Sequence, residues 1–215
     1  IGLFNKKKKY IFEVFQYVFH PAFKKINQII RKKTLGELVF INANFSVPIN
    51  DKKNIRFSKK LGGGSLLDLG VYPLSIIFSL FDQPKINIIK SVMFFDKKLK
   101  IDLRGNSLIK IQNTIFNFQW GFNTAYKNNI ELIGKKGNLL CEFFFAKKVN
   151  HSCKIDIVIN NKKSSMKTSS ANQINLAFNS YLNNSKKIKN NLNNFSIQLA
   201  KLTDKIKKES LKVKI

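Results

Sequence analysis

The chain has 215 residues, 44% of them hydrophobic, with 20 Phe, which is enough apolar material for a sizeable core and excludes a mostly disordered chain. Its net charge of +27 raises the question of a polyanionic partner, but the lysines run in pairs along the whole length and Asn, Ile and Phe are abundant too. These residue types share A/T-rich codons, so a biased genome accounts for the composition and neither nucleic acid nor membrane is an expected partner. The apolar runs are shorter than a membrane span and no secretory signal is visible, so no transmembrane helix is expected and a cytoplasmic location is. Cys141 and Cys153 are too few for a disulfide framework and have no zinc-site spacing, so two buried thiols and no metal are expected.

In chain order, Lys6–Lys9 reads as the solvated end of a helix. Tyr10–Phe19 reads as a strand, because Ile11, Val14, Phe15, Val18 and Phe19 are β-branched or aromatic. Glu13 is an unusual guest in such a strand. His20-Pro21 opens a helix, with Pro where its missing N–H costs nothing. Phe23, Ile26, Ile29 and Ile30 form its buried face, and Gly36 ends it. A lone His at such a boundary is ordinarily structural; a ligand role is the alternative. Leu38–Phe45 alternates as a strand, and Val47–Lys60 is a polar, charged loop.

Leu61–Pro73 (LGGGSLLDLGVYP) organises the rest. Gly62, Gly63 and Gly64 free the backbone and let a ligand approach closely. Leu67, Val71, Leu74, Phe78 and Phe81 then recur at helical spacing. Asp68 and Tyr72 stand four apart on a neighbouring face, and a carboxylate beside a phenol suits proton transfer to a sugar-like hydroxyl or carbonyl. The structural alternative is that Ser65 and Asp68 form a capping box and Tyr72 is a half-buried aromatic. Pro73 should kink the first turns.

Beyond the Gln83-Pro84 turn, strands are expected at Ile86–Phe95, Leu108–Ile111, Thr114–Phe122, Asn129–Ile133, Asn138–Phe145 and Ile155–Ile159. Gly105-Asn106, Gly134 and Gly137 punctuate them as turns. Lys162–Ser170 reads as a polar loop, and Gln173–Leu182 and Leu192–Ile206 as terminal helices. The pattern is an α+β fold: one open, mainly antiparallel sheet with helices packed on one face. No repeat and no Gly-x-Gly-x-x-Gly after a strand are present.

Four segments, Tyr17–Pro21 (YVFHP), Thr34–Phe45 (TLGELVFINANF), Gly62–Pro73 (GGGSLLDLGVYP) and Ile130–Leu140 (IELIGKKGNLL), together resemble the C-terminal half of Gfo/Idh/MocA oxidoreductases in order and spacing. The resemblance implies a glyceraldehyde-3-phosphate-dehydrogenase-like C-terminal domain over residues 21–215, with residues 1–20 as the end of a Rossmann domain. It implies NAD or NADP as cofactor, held mainly by that Rossmann domain in cis or in trans, a sugar, diol or nucleotide-linked sugar as substrate, and a homo-oligomer formed through the sheet face. Tyr72 matches a position that is His in many members and Tyr in the dihydrodiol-dehydrogenase, glucose–fructose-oxidoreductase and some sugar-ketoreductase branches. It would be the catalytic proton donor or acceptor, with Asp68 orienting substrate. Gly62, Gly63, Gly64 and His20 would line the substrate site, and Glu13 would lie at the cofactor junction.

One departure stands out. The family's acidic–Lys–Pro motif is missing, so the resemblance leads to the expectation of a chain that lacks its Rossmann half and is inactive without it. The alternatives are a non-catalytic oligomerisation scaffold and a basic polyanion-binding module.

Overall fold

The computed structural model describes residues 6–7, 13–183 and 186–215, the side chains of residues 186–193 excepted. Of the expected helix end and first strand, residues 8–12 lie outside this description. Gln16–Phe19 is a 3-10 turn rather than a strand. It leads directly into α1 (Pro21–Arg31), whose Ala22, Phe23, Ile26 and Ile29 are buried. Gly36 lies in the following turn, beyond the helix end.

Strict alternation then builds β1 (Leu38–Val47), with Ile41, Ala43 and Phe45 buried on one face. The chain leaves β1 through a loop of short 3-10 turns and α2 (Val71–Leu80), and crosses to the far side of the sheet. From there β2 (Ile86–Phe95), β3 (Asp102–Ile111) and β4 (Thr114–Phe122) meander back until β4 lies parallel to β1. On the other side of β1 a second meander runs outward through β5 (Lys127–Gly134), β6 (Gly137–Glu142), β7 (Lys154–Ile159) and β8 (Lys162–Lys167). Helices α3 (Gln173–Asn183) and α4 (Lys186–Glu209) return the chain to β9 (Leu211–Lys214), parallel to β2. The result is a nine-stranded sheet in the order β8-β7-β6-β5-β1-β4-β3-β2-β9, antiparallel except at β1/β4 and β2/β9.

The helices cover one face. There α2 packs on β1 and β4 and α4 on β2, over Phe116, Phe118, Trp120, Ile109, Ile130, Leu132 and Leu139, all of them buried. The opposite face carries polar side chains that pair with one another: Asn42 donates to Glu131 at 2.9 Å, Asn44 to Asn129 at 2.9 Å, Asn129 to Glu142 at 3.2 Å and Asn106 to Asn117 at 2.8 Å.

Three departures have physical reasons. Gly105-Asn106 is no turn but the middle of β3, because Gly105 faces the Trp120 indole and a Cβ there would come within 2.3 Å of it. The segments that form β8 and β9 carry too few apolar residues to register as strands; they are edge strands made by pairing with a neighbour. Leu66–Gly70 is one π-helical turn, in which the Val71 N–H reaches back to the Leu66 carbonyl. Pro73 follows directly, and in a regular helix its ring would press on the Leu69 carbonyl. The extra residue rotates the phase, so Leu66 and Leu69 are buried while Leu67 is 43% exposed. Lys59–Leu80 has the length and hydropathy of a membrane span, but its most apolar window is 61% buried inside the fold, as in a core helix.

The start of the π turn is fixed by Asp102, a buried carboxylate at the beginning of β3. It accepts from the Ser65 hydroxyl at 2.7 Å, the Leu66 N–H at 2.7 Å and the Trp120 indole N–H at 3.2 Å. Ser65 therefore makes no capping box with Asp68. Gly64, at φ +130°, is held against the same carboxylate, where a Cβ would lie 2.4 Å from Oδ1. Asp102→Ala should lower stability by about 3 kcal/mol, since three donors lose a charged acceptor. Urea unfolding checks this, and a loss below about 1 kcal/mol would make the carboxylate dispensable.

Candidate functional site

Tyr72 is the second residue of α2, in the first turn after the π-helical residues. Its ring is half-buried among three aromatic edges: Phe15 with centroids at 5.3 Å, Phe45 at 5.2 Å and Phe145 at 6.3 Å. Burial raises the phenol's affinity for its proton. Asp68 and then Glu13 raise it further, and Arg56 opposes them. The phenol therefore stays protonated at neutral pH.

Asp68 sits in the π turn and pairs with Arg56, Nε to Oδ2 at 2.8 Å. Arg56 also donates to Asn54 Oδ1 at 3.4 Å, and that side chain in turn caps the 3-10 turn Ile55–Phe57. Sequence reasoning passed over Arg56 as part of a charged loop. A single arginine among lysines in that loop carries no spacing signal, so only the fold brings it to Asp68.

Gly62, Gly63 and Gly64 line a shallow pocket of about 180 Å³ together with Arg56, Leu67 and Asp68. Their N–H groups are spent inside the loop, on the carbonyls of Lys59, Ser58 and Arg56 respectively. Gly62 ends the short turn Lys59–Leu61 in a left-handed conformation. Gly63 packs so tightly that a Cβ would meet the Arg56 carbonyl oxygen at 2.4 Å. The glycines thus shape the pocket wall, and none of them offers a free N–H to a phosphate. No dinucleotide cradle exists among the described residues.

Glu13 borders an apolar cavity of about 200 Å³ lined by Phe15, Val18, Phe19, Phe23, Phe78 and Phe195. Burial raises its carboxyl pKa. It reaches the Tyr72 phenol electrostatically, so three of the expected residues, Glu13, Asp68 and Tyr72, do converge.

His20 does not join them. It is fully buried, its Nδ1 accepts the Ala22 N–H at 3.1 Å as the cap of α1, and its Nε2 bonds the His151 carbonyl at 3.1 Å. The Nε2 partner being a carbonyl, the ring is the Nε2–H tautomer, and burial with the nearby Lys147 lowers its pKa to about 4. The expected substrate contact is corrected to a structural one: both nitrogens are consumed by the chain itself.

A second phenol marks the contrast. Tyr17 is fully buried, and its hydroxyl lies 2.7 Å from Ser75 Oγ. Ser75 donates its own proton to the Tyr72 carbonyl at 2.6 Å, so Tyr17 is the donor in that pair. Tyr17 is a strut beneath α2, whereas Tyr72 is a half-buried phenol within the electrostatic reach of Asp68, Glu13 and Arg56.

Comparison with known proteins follows the same lines. The family description GFO/IDH/MocA C-terminal domain matches residues 23–140, more than half of the chain. The dTDP-3,4-didehydro-2,6-dideoxy-alpha-D-glucose 3-reductase of Actinomadura kijaniata is 28% identical over 130 residues, 60% of this chain and 39% of that protein. The trans-1,2-dihydrobenzene-1,2-diol dehydrogenase of Xenopus laevis is 32% identical over 85 residues, 40% of this chain and 26% of that protein. Among solved structures, KijD10, a 3-ketoreductase from Actinomadura kijaniata in complex with NADP and TDP-benzene, superposes with a TM-score of 0.91 at 18% identity, covering 100% of this chain and 66% of that one. The aldose-aldose oxidoreductase of Caulobacter crescentus gives 0.77 at 15% identity, covering 95% and 64%. At these identities the structural likeness is one of fold. The chain spans about half, or less, of the length of the curated relatives it matches.

Two substitutions separate structure from site. His20→Ala should cost about 1 kcal/mol or slightly more through the lost cap. Arg56→Met removes a partly exposed ion pair and should cost less than about 1 kcal/mol. Thermal melting of both variants checks the order; a larger loss from Arg56→Met would make Arg56 a structural residue.

Proposed function

This chain belongs to the GFO/IDH/MocA family, and we propose that it supplies the substrate-binding and proton-transfer part of an NAD(P)-dependent oxidoreductase that reduces a carbonyl on a sugar, with a nucleotide-linked sugar as the favoured substrate class. The observation that carries this reading is the Tyr72 phenol, held protonated by burial and by the negative charge of Asp68 and Glu13, one turn along the helix from the Asp68 that lines the glycine pocket. A neutral phenol is a proton donor. It serves the reductive direction, where a carbonyl oxygen takes up negative charge and needs a proton. The names of relatives, a sugar 3-reductase and a 3-ketoreductase, support the same direction.

In this reading Tyr72 donates to the carbonyl oxygen. Asp68 accepts from an adjacent substrate hydroxyl, and Arg56 fixes the carboxylate's orientation. Gly62, Gly63 and Gly64 keep the pocket wall low enough for the sugar ring to reach Tyr72. The apolar box of Phe15, Phe45 and Phe145 limits water around the phenol. The nicotinamide cofactor, NAD or NADP, supplies the hydride. Because the described residues offer no cradle for it, we assign its binding to a Rossmann domain in cis or in trans, with residues 1–20 as the end of that domain and Glu13 at the junction. The outer sheet face, where Phe40 is 45% exposed, would serve self-association. We take the protein to act in the cytoplasm.

In the complete protein, supplied with reduced cofactor and a dTDP-linked keto sugar, Tyr72→Phe should fold normally and lose roughly 10²–10⁴-fold in kcat. An unchanged rate would return Tyr72 to packing. Arg56→Met should raise KM more than it lowers kcat. The pH profile has a definite sign. A donor with a raised pKa is fully charged with its proton below that value, so the reductive rate should stay level through neutral pH and fall only as pH climbs past the ordinary phenol value of ~10. A fall beginning near neutrality would assign the proton to another group.

A further inference from the structure

A second cluster of reactive groups lies away from the pocket, under the connection between β6 and β7. Cys141 stands in β6 opposite Ile155 of β7, and Cys153 comes two residues before Ile155, so the two side chains share the inner sheet face. Both are free and buried. The Cys141 thiol donates to the Glu142 carbonyl at 3.6 Å and the Cys153 thiol to the Phe143 carbonyl at 3.8 Å, and the two sulfurs are near enough to shift each other's titration. Lys147 is folded into the same space. Its ammonium donates to the Phe144 carbonyl and reaches Gln173 Oε1 at 3.4 Å, above the Phe144 ring. No carboxylate pairs with it among the described residues. Its charge acts on both sulfurs, on His20 and on His151. Burial lowers its own pKa to about 8, and the Cys153 thiol is the one of the pair lowered from its usual value.

We propose that Cys141 and Cys153 are an oxidisable pair that a hydroperoxide converts into an intramolecular disulfide, closing the base of residues 143–153, with Lys147 as the cation that favours the attacking thiolate. The Cys153 thiolate attacks one peroxide oxygen. The O–O bond breaks, Cys153 becomes a sulfenic acid, and the departing hydroxide takes the proton the thiol released and leaves as water. The Cys141 sulfur then attacks the Cys153 sulfur. The S–O bond breaks, the S–S bond forms, and the hydroxyl leaves as a second water with the Cys141 proton. Two thiols are oxidised and one peroxide is reduced. The strand end between them is already bent: Phe143 is a non-glycine residue at φ 53° immediately after β6. That backbone is where the approach of the sulfurs would be absorbed. The ring closed by the disulfide contains Phe144 and Phe145, which contact Tyr17, and Phe145 also meets Tyr72.

The test is to expose the native protein, expressed from its own gene, to hydrogen peroxide, quench with catalase, and unfold it in an alkylating reagent before mass analysis. The expected product is two hydrogens lighter, takes no alkyl group at Cys141 or Cys153, and yields a cross-linked peptide pair from these two residues. Cys141→Ser should instead stop at a sulfenic or sulfinic acid on Cys153. Lys147→Met should slow disulfide formation about tenfold or more. Two alkylated thiols after a large excess of peroxide would overturn the proposal, as would disulfides formed only between molecules. An unchanged rate in Lys147→Met would remove the lysine from it.

Discussion

One buried carboxylate sets the geometry from which the rest follows. Asp102 begins β3, yet its oxygens are occupied by the Ser65 hydroxyl, the Leu66 N–H and the Trp120 indole. It thereby joins two strands to the start of a helix that comes from a distant part of the sequence. Charge-assisted hydrogen bonds of this kind are short and directional, and their loss in a buried place leaves donors that nothing else can satisfy. Because the helix start is pinned, the π turn that follows has a defined phase, which brings Asp68 to the pocket wall and Tyr72 into its box of aromatic rings. Removing the Cβ at Gly64 is what lets the backbone lie against this carboxylate at all.

The pocket draws its chemistry from contrast between two phenols on neighbouring elements. Tyr17 donates to Ser75 and is sealed in the core. Tyr72 has an equally aromatic setting but opens toward two carboxylates and one guanidinium. The same residue type is a strut in one place and a half-buried phenol with a tightened hold on its proton in the other, and only its surroundings make the difference. Arg56 keeps the negative charge of the pocket from accumulating unopposed, so Asp68 can stand close to the phenol.

Much of this was legible in the residues. The glycine run and Asp68, which line one pocket, stood out in the sequence, and strands β2 and β4 have the bounds read from it. What escaped did so for identifiable reasons. Periodicity assumes 3.6 residues per turn, so one widened turn moved Leu67 to the surface and Leu66 to the core. Glycine reads as a turn unless the neighbour that needs its missing side chain is known, and for Gly105 that neighbour is the Trp120 indole on the next strand. Arg56 meets Asp68 across 12 residues, and Asp102 meets Trp120, Leu66 and Ser65 across 18, 36 and 37, beyond any local pattern. His20 was legible as a boundary residue. Its carbonyl partner lies 131 residues further along the chain, and that contact decided its role.

Among the described residues the sheet ends in two strands with no strand paired to their outer side, and such edges are templates for uncontrolled growth with other sheets. Here one edge strand is β8, with Lys162, Lys163 and Lys167, and the other is β9, with Lys212 and Lys214. A second copy approaching edge to edge would bring lysine against lysine and would have to strip water from both. The basic composition, whatever its genomic origin, thus lands where it discourages fibre-like stacking. It leaves the broad face of the sheet as the surface on which orderly contact is cheaper.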